Sequence, residues 1–217
     1  MSAEREHGSR QRFLAGIGAG ASTLPLVPGP HPPPPPTPSA PPVRYKNVPA
    51  DRGAAALTEA FVISAIEAGA SVVTLDELPA LVGMHSLVTG VVSAETEAVT
   101  LASILREAGV AVGHYERAAA AAADVGITSC VAAIAATGSV VVDSWVAGSR
   151  AVSLLPRVHL CAVPAAAIVA TPGDFLRSGR PLPSNLVLIS GPSRTGDIEQ
   201  ILTTGVHGPT AVVLVIV

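Results

Sequence analysis

The sequence has little charge and almost no lysine. Charged residues make up 13% of the 217 positions, the formal net charge is −3, and only one of the thirteen basic residues is a lysine, Lys46. A nucleic-acid-binding protein usually carries a basic stripe, so no nucleic-acid partner is expected. Apolar residues make up 49%. A chain of this length and composition can bury a substantial core, which favours one main domain.

Cysteine is nearly as scarce as lysine. Cys130 and Cys161 are the only two, they form no CxxC pair, and the histidines show no HxxxH or HExxH spacing. Two isolated cysteines cannot hold an iron–sulfur cluster or a zinc ion unaided. We therefore predict no metal site and no bound cofactor, and we expect buried free thiols in a cytoplasmic protein.

Long hydrophobic runs are also missing. The uncharged stretch 126–142 contains threonine, serine and glycine and is too short and polar to span a membrane. Arg10 and Arg12 precede a weakly hydrophobic, glycine-interrupted segment, which does not favour a secretion signal. Pro25 to Pro42 is dominated by proline, which favours an extended chain. Residues 1–49 are thus predicted to be an N-terminal arm whose proline-rich part is a linker or, alternatively, a partner's ligand.

From residue 50 onward, helical periods alternate with apolar runs. The pattern predicts helices over 53–68, 94–108 (capped by Ser93) and 116–123. Strands are predicted over 71–75, 86–92, 110–113, 126–128, 139–142, 158–163, 185–190 and 211–217. Several of these runs are rich in valine and isoleucine with little polar alternation, which is typical of strands buried on both faces. The fold class is therefore predicted to be α/β, a mostly parallel sheet with helices on both faces.

Two stretches have the composition of a ligand loop. In the first, the strand ending at Ser190 leads into Gly191 and Arg194, with a helix expected to start near Thr195 or Asp197. Backbone amides at a helix start, together with an arginine, can bind an anion. Alternatively, Asp197 and its neighbours only cap a helix. The P-loop pattern GxxxxGK[ST] is absent.

The second stretch is Thr137-Gly138-Ser139, where small residues would let the backbone approach a ligand. The alternative is a plain helix-to-strand turn closed by Gly138. Of the histidines, His207 lies in a glycine- and proline-containing turn before the last strand, whereas His159 is expected to be a satisfied core residue.

Four stretches occur in an order and spacing that resemble one known family. They are Ile134 to Ser139, Arg150 to His159, Gly191 to Glu199 and Gly205 to Pro209. The series resembles the signature of the lactate-utilisation (LUD) domain family, formerly DUF162, over residues 50–217. The resemblance implies a fold similar to the NagB, ribose-phosphate isomerase (RpiA) and CoA-transferase superfamily.

The resemblance also implies a function. Small family members without cysteine clusters act as accessory, non-redox components of bacterial L-lactate oxidation beside iron–sulfur partner proteins. We expect a small carboxylate or phosphate to bind at the family stretches. The hypothesised set is Thr137, Gly138, Ser139, Gly191, Ser193, Arg194, Thr195, Asp197 and His207. Alternatives are an independent superfamily-type enzyme, acting on a phosphorylated or acyl substrate, and a ligand sensor.

Two positions depart from the family pattern. The family usually has an acidic residue where this chain has Ala136, and it often has an arginine where this chain has Thr210. Losing both charges weakens a catalytic role more than a binding role. Whether the protein has catalytic activity of its own is left open by the sequence.

Overall fold

The computed structural model describes residues 53–144, 147, 149–196, 202–205 and 207–217. Within them lie twelve strands: β1 (Ser71–Val73), β2 (Thr89–Val92), β3 (Ala111–His114), β4 (Val125–Ser129), β5 (Ala132–Ile134), β6 (Ser139–Asp143), β7 (Val158–Val163), β8 (Ile168–Val169), β9 (Leu186–Ile189), β10 (Arg194–Gly196), β11 (Leu202–Thr204) and β12 (Ala211–Ile216). The predicted boundary between an arm (1–49) and a domain (50–217) lies outside these residues and stays a prediction.

Six α-helices accompany the strands in the same residues. They are α1 (Ala54–Glu67), α2 (Leu78–Met84), α3 (Thr96–Glu107), α4 (Arg117–Ala122), α5 (Ala151–Leu154) and α6 (Pro172–Arg177), with 3-10 turns at Leu75–Glu77 and Ala165–Ala167. None of the helices described is both long enough and apolar enough to cross a membrane. The helix predicted over 94–108 begins at Thr96, and its N-cap is Glu95 rather than Ser93. Ser93 instead hydrogen-bonds the carbonyl of Ile127 through both its amide and its hydroxyl.

The main sheet has six strands in the order β1-β12-β7-β4-β2-β3, and every pairing is parallel. Along β7 the side chains alternate between two cores. Leu160 and Ala162 pack with α2 and α3, whereas Cys161 and Val163 pack with α1 and the second sheet. α4 and α5 cover the β2 and β4 part of this second face through Ala120 and Val152. The α/β prediction, with helices on both faces of a mostly parallel sheet, is confirmed.

A second sheet, in the order β8-β5-β6-β9, was not expected. β5 and β6 form an antiparallel hairpin in which Ala133 pairs with Val140. The helix-to-strand turn considered for Gly138 is therefore wrong, because the turn joins two strands. One face of this sheet packs on the main sheet, and the other packs on Phe175 of α6.

A close approach between α5 and the main sheet depends on one glycine. A side-chain carbon at Gly126, in β4, would lie 1.8 Å from the carbonyl oxygen of Val152. Only glycine lets the helix backbone come this near the strand. The contact holds α5, and the residues just before it, over the sheet face that carries the cleft described next.

Candidate functional site

A cleft lies where three separated segments meet beside α5. Its volume is about 660 Å³, within the range of small-molecule sites. Its described lining comes from the start of α4, the α5 region and the turn before β12. These residues are Tyr115, Arg117, Ser149, Arg150, Ala151, Leu154, Leu155, Gly205, His207 and Gly208.

The cleft combines basic and apolar lining residues. Arg117, Arg150 and His207 are all exposed, and the described lining contains no carboxylate. Leu154 and Leu155 contribute its apolar part. Arginine pairs bind carboxylates and phosphates through charge-assisted, often bidentate hydrogen bonds. The arrangement can therefore hold a small anion that also carries an apolar group.

Hydrogen bonds and packing fix the two arginine-bearing segments. The amide of Tyr115 donates to the carbonyl of Val92 (3.2 Å), and the ring packs in the apolar cluster beneath α4. Arg150 immediately precedes α5, and its carbonyl accepts the hydroxyl of Ser153 (3.0 Å). The amide of Ala151 donates to the hydroxyl of Ser149 (3.2 Å). The backbone beside Arg117 and Arg150 is thus held in place by hydrogen bonds.

The turn that carries His207 is tied to the loop after β9. The amide of Ser193 donates to the carbonyl of Pro209, and the amide of Gly205 donates to the carbonyl of Ser193, both at 2.9 Å. Thr210, where the family often has arginine, donates its hydroxyl to the carbonyl of Arg157 (2.9 Å). The third and fourth family stretches therefore meet. Of the set hypothesised to bind an anion, only His207 lines the cleft among the described residues.

The Thr137-Gly138-Ser139 stretch lies elsewhere, at the hairpin turn. The hydroxyls of Thr137 and Ser139 are 2.7 Å apart, and those of Ser139 and Ser190 are 2.6 Å apart. This chain of hydroxyls joins β6 to the end of β9. Ala136, where the family usually has an acid, is 7% exposed within the main apolar core.

The Gly191–Arg194 loop packs on the C-terminal end of α1. A side-chain carbon added at Gly191 would lie 2.1 Å from the carbonyl oxygen of Ala68. A side-chain carbon added at Gly69 would lie 1.8 Å from the guanidinium of Arg194. Arginine at a helix C-terminus interacts favourably with the helix dipole. The expectation of a helix starting near Thr195 is wrong, because Arg194–Gly196 is a strand paired with Leu202–Thr204. Asp197 lies outside the described residues.

His159 is a core residue, as predicted, but only one of its two ring nitrogens has a hydrogen-bond partner. It is fully buried, its Nε2 lies 2.9 Å from the hydroxyl of Thr128, and its Nδ1 has no partner. Burial lowers the pKa of His159 to about 4. Cys130 and Cys161 are both buried free thiols, as expected. No three metal-ligating side chains come together in the part of the chain that the structure describes.

Sequence reasoning missed Tyr115, Arg117 and Arg150. Arg150 carried a signal, since it opens the second family stretch, and two charged residues next to an alanine run marked the start of α4. Nothing in the local pattern around residue 115 indicates that it meets residues 150 and 207. Their meeting depends on the parallel sheet order.

Comparison with known proteins gives a family match over the second half of the chain. The family model for the LUD domain matches residues 106–217. Three proteins named lactate utilization protein C are each 38% identical to this chain. In Halalkalibacterium halodurans and Bacillus subtilis the match covers 102 residues, 44% of this chain and 44% or 42% of the relative. In Deinococcus radiodurans it covers 103 residues, 44% of this chain and 47% of the relative. The matched region thus spans less than half of each relative's length.

One solved structure is also similar, a crystal structure of a DUF162 family protein from Deinococcus radiodurans. It is 23% identical, the likeness covers 76% of this chain and 98% of that chain, and the TM-score is 0.49. At this level the likeness carries no argument about function.

Proposed function

Because the chain belongs to the LUD domain family, we propose that it is an accessory, non-redox component of bacterial lactate utilisation that binds a small carboxylate. Family membership and the names of its relatives support the lactate-utilisation role. The site itself supports the carboxylate. The carboxylate ligand is inferred from one observation: Arg117 and Arg150 both line a cleft whose described lining contains no carboxylate.

L-Lactate has the features that such a cleft would recognise. Its carboxylate would accept hydrogen bonds from the guanidinium of Arg150 or Arg117, and its hydroxyl would pair with His207 or Tyr115. Its methyl group would lie on Leu154 or Leu155. A few convergent polar groups beside an apolar surface are typical of small-ligand sites.

The electron-transfer step is assigned to iron–sulfur partner proteins. The full sequence contains two cysteines and no GxGxxG fingerprint for a dinucleotide. The cleft lies on the main domain's surface and its arginines are exposed. A partner could therefore reach the bound carboxylate.

The test reconstitutes L-lactate-dependent dye reduction by the iron–sulfur partner proteins with and without this protein. Dye reduction should require it. Arg150→Ala should lower the activity and weaken L-lactate binding at least about tenfold in calorimetry, since a hydrogen bond to a charged group is worth about 1.5–3 kcal/mol. Arg177→Ala is the matched control, because Arg177 is exposed and pairs with Asp174 in α6.

Activity that is indifferent to this protein would contradict the proposal. Turnover of a sugar phosphate or acyl-CoA by the isolated protein would favour the independent-enzyme alternative. Tight lactate binding without any effect on dye reduction would favour a sensor.

A further inference from the structure

The two arginines of the cleft beside α5 differ from other arginines of the chain in having no partner. Among the described residues, the side chains of Arg117 and Arg150 make no ion pair and no hydrogen bond. Elsewhere, arginines donate to oxygens of this protein: Arg106 to Val112, Arg157 to Asp124, Arg177 to Asp174 and Arg180 to Asp143. A carboxylate pairs bidentately with one guanidinium. L-Lactate bound at one of the two arginines therefore leaves the other for a second acidic group.

The cleft is also larger and less enclosed than L-lactate requires. Its volume of about 660 Å³ is typical of sites for drug-sized ligands, which bury most of the ligand's surface. L-Lactate has only a few non-hydrogen atoms and would fill a small part of it. The side chains of Arg117, Arg150 and Leu155 are exposed, Leu155 to 47%. An exposed lining of this size suits a length of polypeptide chain that lies along it.

The charge of the cleft is opposite to that of the whole chain. Aspartate and glutamate outnumber lysine and arginine by 16 to 13 in the sequence, yet the described lining contains two arginines, one histidine and no carboxylate. Charge complementarity across an interface selects partners of the opposite sign and fixes their register. Arginine and tyrosine, both present in the lining, are enriched in protein–protein interfaces. A matching partner surface is therefore acidic and carries an apolar side chain.

We infer that the cleft is a docking site for a peptide segment of a partner protein in which acidic residues flank leucine or another large apolar residue. Two carboxylates of the segment would pair with Arg117 and Arg150, and the apolar side chain between them would lie on Leu155. The inference rests on the proposed function, since both place a carboxylate at these arginines. It goes further in naming a protein segment as the source of the second acidic group.

Fluorescence anisotropy on the full chain tests the docking site with three fluorescein-labelled peptides of equal length. The first has aspartates and glutamates on both sides of two leucines, the second has lysines in place of the acids, and the third has serines in place of the leucines. The first should bind saturably, the second should not bind, and the third should bind severalfold more weakly than the first. Added salt should weaken the binding, because charges on exposed arginines are screened.

Substitutions in the cleft locate the peptide. Arg117→Ala and Arg150→Ala should each weaken binding of the first peptide at least about tenfold, because each removes a charge-assisted pair. Leu155→Ser should weaken it severalfold. Arg177→Ala changes the net charge equally at an exposed position outside the cleft and should leave the affinity unchanged. The three cleft positions are exposed or half-exposed, so circular dichroism melts should match the wild type.

The inference is overturned if the first peptide gives no saturable binding, or if Arg177→Ala weakens it as much as Arg150→Ala does. Tighter binding of a fluorescein-labelled oligothymidylate of equal charge would also overturn it and would assign the cleft to nucleic acid. Calorimetry with L-lactate in the same buffer separates the two proposals. L-Lactate binding without peptide binding overturns the docking site alone, whereas peptide binding without L-lactate binding supports the docking site and contradicts the lactate ligand.

Discussion

At the scale of single residues, Gly138 shows how one position combines two constraints. Its φ is +65°, a left-handed value that residues other than glycine rarely adopt. A carbon added there would also lie 2.2 Å from the backbone nitrogen of Ala65 in α1. Backbone atoms of a packed helix cannot move aside as a flexible side chain can. The hairpin turn and its packing against α1 therefore both require glycine at position 138.

Gly138→Ala should accordingly lower the free energy of unfolding by about 3–5 kcal/mol, because strain and overpacking add. Gly179→Ala is the control, since Gly179 has a similar φ of +73° and nothing within 4 Å of an added carbon. It should cost only about 1–2 kcal/mol. Urea unfolding followed by circular dichroism measures both. Equal costs would mean that the contact with α1 contributes nothing.

At the scale of elements, Asp124 fastens three strands of the main sheet at their amino ends. Its Oδ2 accepts the amides of Val88 and Thr89 at 2.9 Å, and its Oδ1 accepts the Nε of Arg157 at 3.1 Å. Arg157 in turn donates to the carbonyl of Ser86 at 2.9 Å. Burial opposes the charged form of Asp124, but the two amides and Arg157 outweigh it and lower its pKa.

Asp124→Asn should lower the free energy of unfolding at pH 7 by about 1–3 kcal/mol, because the hydrogen bonds to a charged acceptor are weakened. A carboxyl whose folded pKa is depressed contributes stability above its unfolded pKa and loses it as pH falls through the folded value. The gap between wild type and variant, followed by urea unfolding from pH 7 downward, should close below about pH 4. Asp76→Asn, at an exposed position, should leave stability nearly unchanged. A gap that persists at low pH would assign the effect to shape.

The elements themselves were largely predictable from the sequence. The strand predicted over 158–163 is observed at Val158–Val163, because an apolar run buried on both faces is a strong signal. The hairpin of β5 and β6 was missed because Ala132–Ala136 is rich in a helix-forming residue, and sheet packing overrides that preference. β10 was missed because capping residues predicted a helix start where a partner strand, distant in sequence, takes the hydrogen bonds.

At the scale of the whole molecule, the candidate site was the least predictable feature. The cleft draws on residues near positions 115, 150 and 207, which only the strand order brings together. Local patterns identified loops with suitable composition, but the Gly191–Arg194 loop packs on α1 and the Thr137–Ser139 turn bonds to Ser190. Within the part of the chain that the structure describes, only His207 belongs to both the hypothesised set and the cleft.

The buried histidine of β7 makes the stability of the whole molecule depend on pH. His159 has a pKa of about 4 in the fold because burial disfavours its charged form, against 6.5 as its ordinary value. Its neutral form is therefore held in the fold, and unfolding takes up a proton at pH values below about 6.5. The free energy of unfolding should fall as pH drops from 6.5 towards 4, by roughly 3 kcal/mol in total from this residue.

His159→Gln removes this contribution. The variant should be less stable than wild type at pH 7.5, because a polar core residue has been exchanged, but its urea-unfolding free energy should fall less steeply between pH 7.5 and 4.5. The gap between the two proteins should narrow by roughly 2–3 kcal/mol over that range. His114→Gln, at an exposed position on β3, should parallel the wild type. If His159→Gln also ran parallel, the imidazole would have to take up its proton inside the fold, and water would have to reach the Nδ1 that the packing of β4, β7 and β12 otherwise encloses.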